Sequence, residues 1–383
     1  MERKRAKREG GADNGGADSG GADSHSRGRA VAEVKLDGAG CSGGGDGSLW
    51  AQCGHGQAKE PVVFRGAAVH WPSAFWSPTL LATHQAFGRC NVKALFHRAN
   101  ERPASEADCI TRETTLKQFA QWILQGDRST PPPPPPARDV DAACRGGRVA
   151  DAVKSEPEPS ESDSKHKKCA NLDNAAFWFG TEGAVTRCHY DTYGCNLAVQ
   201  LDGTKRWTMF PPGVARGMYP TRLPFEESTV RSSVDVEAPD ASAHPDFVAL
   251  AAHAAQWVEL GPGDVLFVPH GWWHHVRCTS TAISTNLWIS HPADKRALLS
   301  EAMTQYVVAC VSEQQPTWFC PTQSPVTPSQ ALALLGAALD ANGVHLQHDR
   351  DSGDITEALL RRRIAEALIN PSVIQDVVDG VLR

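Results

Sequence analysis

The sequence predicts a mainly β protein with flanking helices, its core an antiparallel barrel or jelly roll. Two observations predict this. From Ala175 onward the chain breaks into short β-like runs separated by Gly- and Pro-containing turns: F-W-F-G, R-C-H-Y-D, N-L-A-V-Q-L, K-R-W-T-M-F, W-V-E-L, V-L-F-V-P, W-W-H-H-V and A-I-S-T-N-L-W-I. After His291 the texture becomes helical, with apolar periodicity over 295–311, 328–341, 355–369 and 373–382.

Taken in order, the first part of the chain predicts little structure. Residues 1–9 carry Arg3, Lys4, Arg5, Lys7 and Arg8, either a nuclear-import patch or a solvated basic tail. Three copies of a five-residue unit, Gly-Gly-Ala-Asp followed by Asn or Ser, start at Gly10, Gly15 and Gly20, inside a Gly/Ser-rich stretch too poor in apolar groups to offset the entropy of ordering. Residues 1–59 are therefore expected to be a disordered, low-complexity tail, with structure starting near Glu60. Within 60–126, P-V-V-F-R-G and Cys90–Phe96 read as strands and Leu80–Phe87 as a helix, with Trp71 and Trp76 as apolar anchors. Apolar positions 116, 119, 120, 123 and 124 read as a second helix, capped by Thr114 or Thr115. Pro131–Pro136 open a Pro/Ser/Glu-rich tract, 127–171, with the composition of a linker; an SH3 ligand is the sharper reading of the proline run. The core follows over 172–292, with a tight turn at Asp202-Gly203 and a helix expected over 247–255, and the C-terminal helical region over 293–383.

Composition excludes some functions. A net charge of −6 and scattered basic residues disfavour nucleic-acid binding by the whole surface. Eleven cysteines without a C-x-x-C pair fit free thiols in a reducing compartment. No stretch approaches the ~20 apolar residues of a membrane span, and the charged N-terminus lacks the apolar run of a secretory signal. An intracellular protein, cytoplasmic or nuclear, with no membrane partner is expected.

The chemistry concentrates in Thr186–Pro212. In an extended strand residues i and i+2 share a face, so His189 and Asp191 project side by side. One further histidine would complete the two-histidine, one-carboxylate set of non-haem Fe(II) oxygenases. W-W-H-H-V offers His274 and His275, and His270 precedes it; alternation puts His274 and His275 on opposite faces without choosing between them. Lys205 shares a face with Trp207 and Met209. Pointing inward it would want an anion, and the bland reading is an edge lysine in water with Arg206 turned inward.

T-x-x-H-Y-D, N-L-A-V-Q-L-D-G-x-K-R-W-x-x-F-P-P and G-P-G-D-V-L-F-V-P-x-x-W-W-H-H, in this order, resemble the JmjC-domain, cupin-type Fe(II)/2-oxoglutarate dioxygenases over about 60–125 and 172–312. D-T-Y-G-C-N-L and Y-P-T-R-L-P-F-E-E-S bring the chain nearest to the branch associated with a small heat-shock protein, and less near to the asparaginyl hydroxylases. The resemblance implies a double-stranded β-helix (jelly-roll, cupin-like) core with a helical C-terminal region. It implies iron held by His189, Asp191 and His274, with 2-oxoglutarate and O2 as cosubstrates. It also implies Lys205 on the distal 2-oxoglutarate carboxylate, Thr186 beside it, and Asn196 and Asn286 lining the pocket. Hydroxylation of a protein side chain is the expected activity. Lysine demethylation, tRNA-base hydroxylation and a non-catalytic scaffold are the alternatives. A protein substrate and a small heat-shock protein are the implied partners, and the C-terminal helices form either a homodimer face or a cap on the barrel.

Overall fold

The structure, a computed structural model, describes residues 29–35, 58–71, 73, 76–96, 110–126, 175–222, 228–311, 326–344, 357–368, 370–374 and 378. The basic N-terminus, the glycine repeats, the proline run and most of the last expected helix lie outside these residues.

Two sheets face one another. The first runs β1 (Arg29–Ala30), β12 (Gln256–Leu260), β9 (Lys205–Phe210), β14 (Trp273–Cys278), β7 (Val185–Asp191), β11 (Thr229–Ser232) and β10 (Pro220–Thr221). The second runs β2 (Ala32–Lys35), β3 (Val62–Arg65), β13 (Val265–Val268), β8 (Cys195–Asp202), β15 (Ala282–Ile289) and β6 (Ala175–Gly180). Pairing is antiparallel except where β1 joins β12 and β2 joins β3. This is the jelly roll the turn spacing predicts. Alternation divides each strand between two environments. Trp207, Met209, Val258, Leu260, Trp272 and Val276 of the first sheet meet Val63, Ala198, Leu266 and Val268 of the second between the sheets. The outer face of the second sheet, with Phe64, Val199, Phe267 and Ile283, is covered by α1 (Pro78–Thr83) and α2 (Leu116–Gln125), which bury Leu81, Leu116 and Ala120. Each of these buried side chains except Ala120 contributes about 1.5–3 kcal/mol by leaving water.

The expected N-terminal elements form with shifted ends. The Leu80–Phe87 helix is α1 followed by a 3₁₀ turn over 85–89, and the expected strand at 90–96 is β4 (Asn91–Phe96), paired with β5 (Ile110–Thr115). Thr115 caps α2 through a capping box with Gln118. The expected helix over 247–255 is instead a single π-turn, Phe247–Ala251, and a 3₁₀ turn, in which Phe247 and Ala251 are the fully buried residues. The larger departure lies within 1–59, where β1 and β2 add to both sheets, Val31 between them being 4% exposed. Short polar strands of this kind carry no periodicity of their own; their pairing comes from the edges they join.

The C-terminal helices α3 (Asp294–Val311), α4 (Pro328–Ala341) and α5 (Glu357–Leu368) pack a separate small core around Tyr306, Leu335, Leu339 and Leu360. Helix α3 is tied to the barrel by a two-pronged pair in which Arg222 donates to both carboxylate oxygens of Glu301, at 3.1 and 2.6 Å.

Outward from β14 lie Trp273, His275 and Arg277. Trp273 packs with Phe210, Met218 and Phe247 under the crossing segment. Arg277 pairs with Glu237, and His275 Nε2 lies 3.2 Å from Glu237 Oε1, off the line of a straight hydrogen bond. Burial works to raise the Glu237 carboxyl, but the Arg277 guanidinium bonded to it and the adjacent His275 outweigh that and hold it below its ordinary 4.5.

Two predictions follow from the fold. Gly203, at φ 63°, turns β8 into β9, and a Cβ there would sit 2.0 Å from Thr281 O. Gly203→Ala therefore costs both left-handed strain and a backbone clash. The expected loss exceeds the ~1–3 kcal/mol of strain alone, read as a lowered denaturant midpoint. Glu237, with its carboxyl depressed on folding, contributes stability that is present above pH 4.5 and lost as the pH falls through the folded value. Glu237→Gln should flatten the acid limb of the stability–pH curve and lower stability at pH 7.

Candidate metal centre

In the β7–β14 ladder His189 and His274 stand directly opposite each other, their ring centroids 4.3 Å apart. Two residues along β7, Asp191 projects from the same face, Oδ1 lying 3.7 Å from His189 Nε2 and Oδ2 4.0 Å from His274 Nε2. One donor atom from each residue falls within 4.8 Å of the others, so small rotations bring all three onto one ion.

Hydrogen bonds fix which nitrogen each histidine presents. His189 Nδ1 meets Arg187 O at 2.8 Å and His274 Nδ1 meets Trp272 O at 3.0 Å. A carbonyl only accepts, so each Nδ1 carries a proton and Nε2 is the ring nitrogen left on the side of Asp191. Burial and the adjacent His274 push the His189 imidazole well below its ordinary value, which keeps it in the neutral, ligating form at neutral pH. The donor set and its tautomers fit a divalent transition metal, and two imidazoles with one carboxylate are the ligands of a facial triad that leaves other positions open.

The pocket in front of these residues has a volume of about 380 Å³, including the space at its mouth. Farther along the same sheet lies Lys205, 6% exposed, whose Nζ donates to Ser284 Oγ at 2.7 Å across the two sheets. Among the described residues it has no carboxylate partner. Burial pulls its ammonium below the ordinary value, with the neighbouring Cys278 thiol opposing weakly. A buried cation held by a single hydroxyl is the environment that an anionic ligand completes. Arg206, the alternative inward residue, points out, 3.8 Å from Glu259 and over the Trp257 ring.

Thr186 reaches the same pocket by a route that alternation forbids. Three residues before His189, it should face the other way. The ladder shifts register between His274 and Val276, so that Thr186 opposes Val276 while His189 opposes His274. This β-bulge takes up one extra residue of β7 and returns Thr186 to the inner face.

From the second sheet come Asn196, Asn286 and Trp288. Asn286 Nδ2 donates to Asn196 Oδ1 at 2.9 Å, and Asn196 Nδ2 donates to Asp191 Oδ2 at 3.3 Å. Trp288 Nε1 donates to the same oxygen at 2.8 Å. Sequence reasoning did not single out Trp288; its place two residues beyond Asn286 on one strand face was the available signal. Trp178 and Trp207 complete the apolar part of the wall.

The other two candidate histidines lie elsewhere. His275 faces outward to Glu237. His270 stacks on His291, the rings 4.7 Å apart and 6° from parallel, beside Asp294. A metal lies in the plane of every imidazole it binds, and two stacked parallel planes share no such point. Asp294 accepts from Gly194 N and His291 N, both at 2.7 Å, so this group acts as a clamp between the β7–β8 turn and α3.

Comparison with known proteins agrees with this architecture. The model of the cupin-like domain family matches residues 54–295. The chain is 32% identical over 286 residues to the zebrafish (Danio rerio) HSPB1-associated protein 1 homolog, covering 70% of this chain and 62% of the relative. It is 32% identical over 295 residues to human HSPB1-associated protein 1, covering 74% and 60%. Lysine-specific demethylase JMJ31 of Arabidopsis thaliana matches at 25% identity over 258 residues, 60% of this chain and 45% of the relative. The chain thus spans about three-fifths of the length of the HSPB1-associated relatives. With two facing sheets, a converging His–Asp–His cluster and a family match over more than half its length, the chain belongs to the cupin-like JmjC domain family.

Proposed function

We propose that this protein is an Fe(II)- and 2-oxoglutarate-dependent oxygenase that hydroxylates a protein side chain. One observation carries the reading: a single pocket places two imidazoles and a carboxylate against a buried lysine that lacks a carboxylate partner among the described residues. His189, Asp191 and His274 would hold the iron. Lys205, steadied by Ser284, would pair with the distal carboxylate of 2-oxoglutarate, and Thr186 offers a hydroxyl on the same wall. Trp178, Trp207 and Val276 give the space between an apolar wall. Fe(II) with 2-oxoglutarate and O2 supplies the oxidation of a substrate C–H bond; the chain supplies orientation and exclusion of solvent.

The names of the HSPB1-associated relatives support a small heat-shock protein as partner. A second reading, lysine demethylation, is favoured by the names of more distant relatives, among them the Arabidopsis protein and lysine-specific demethylase 8 of Xenopus tropicalis, 34% identical over 115 residues.

Succinate release from 2-oxoglutarate, with iron and ascorbate, tests the activity: Asp191→Ala should reduce it to background. Equal turnover by the two proteins would sink the enzyme reading. Products gaining ~16 Da without formaldehyde distinguish hydroxylation from demethylation. Lys205→Ala should weaken 2-oxoglutarate binding by about 30-fold or more, the ~2 kcal/mol lower bound for truncating one side of a buried charge pair, while metal affinity stays near native. Unchanged cosubstrate affinity would remove Lys205 from the role.

A further inference from the structure

We infer that Trp288 is a positioning residue whose indole N–H, together with the carboxamide of Asn196, occupies Oδ2 of Asp191 and leaves Oδ1 as the single oxygen presented to a metal. The inference rests on the metal reading above and deepens it by saying what sets the carboxylate's orientation.

Asp191 is the last residue of β7, so little in its own strand fixes the rotation of its carboxylate. A free carboxylate can offer a metal either oxygen or both. Here the second sheet decides. Trp288 Nε1 donates to Oδ2 at 2.8 Å and Asn196 Nδ2 to the same atom at 3.3 Å, two donors for the two lone pairs of one oxygen. Oδ1 is left toward His189 Nε2, at 3.7 Å.

Neither donor can reverse its role. An indole N–H only donates. The Asn196 amide is held in one sense because its Oδ1 accepts from Asn286. Strand register delivers all three groups together: Trp288 stands opposite Asn196 in the β8–β15 ladder, and Asn286 is two residues along the same inward face. A half-buried indole usually satisfies its N–H on a backbone carbonyl or water; this one spends it on a ligand from the opposite sheet.

The competing description is that Trp288 only fills the pocket wall. The two separate on metal binding, read without turnover. Co²⁺ is titrated into the whole chain and followed by its visible absorption, with Asp191→Ala as reference. Trp288→Phe keeps an aromatic wall and removes the N–H. It should weaken Co²⁺ binding about tenfold, the usual scale for losing a hydrogen bond to a ligand, and shift the visible band as the carboxylate becomes free to chelate through both oxygens. Asn196→Leu should do the same more weakly, its bond being longer. Trp257→Phe, on the outer face, should leave affinity and spectrum unchanged. Should the phenylalanine variant not fold, benzothienylalanine at position 288 replaces N–H by sulfur with the ring shape kept and gives the same reading. Native Co²⁺ affinity and spectrum in a folded Trp288 variant would overturn the inference alone. Equal Co²⁺ binding by the unsubstituted protein and Asp191→Ala would instead overturn the metal reading on which it rests.

Discussion

Pairing of β7 with β14 is the constraint on which the site depends. Only that ladder sets His274, from late in the chain, opposite His189, and only its bulge lets Thr186 share their face. The carbonyl of Arg187 accepts the hydrogen bond from His189 Nδ1, as that of Trp272 does from His274 Nδ1. A single extra residue in one strand re-aims the Thr186 hydroxyl. A regular ladder would turn Thr186 into the outer core with Cys188.

The two sheets divide the work. The first provides every proposed metal ligand and Lys205. The second provides the groups that hold them: Ser284 on the lysine, Asn196 and Trp288 on the carboxylate, Asn286 behind Asn196. The polar groups of the pocket are thus bonded across the barrel, where the alternative is a desolvated donor or acceptor with nothing to meet it. The same division explains the electrostatics. His189 stays neutral and Lys205 is pulled down for the same leading reason, loss of water; the neutral imidazole is free to accept a cation at one end, and an anion at the other would favour the charged lysine.

Much of this was legible in the sequence, for identifiable reasons. Period-two alternation put His189 with Asp191 and Lys205 with Trp207 and Met209, and the structure keeps those faces. The choice between His274 and His275 was not legible from alternation, which separates them without saying which face is inside. The answer lies in what covers the outer face, Glu237 and the segment crossing over Phe210, and those contacts are distant in sequence. Thr186 was reached through its resemblance to a family motif, since a bulge breaks the arithmetic that strand periodicity relies on. Trp288 escaped notice because an indole in an apolar strand looks like packing, and its N–H acquires meaning only when β15 is laid against β7. The helix expected at 247–255 was misjudged for a related reason: two buried residues four apart suit one turn as well as a helix.

The short N-terminal segment has a practical consequence. Residues 29–35 lace the rims of both sheets, β1 along β12 and β2 along β3, pinned by Arg29 to Glu60 and Arg65 to Glu33. Composition invites a cut at residue 60, where the low-complexity stretch gives way to recognisable elements. A fragment beginning there would bare two rows of unpaired backbone donors and acceptors at once, and such rows recruit strands from neighbouring molecules. Domain limits drawn from composition alone would then yield material that self-associates through its rims, with the barrel itself well folded and the fault lying in where the chain was trimmed.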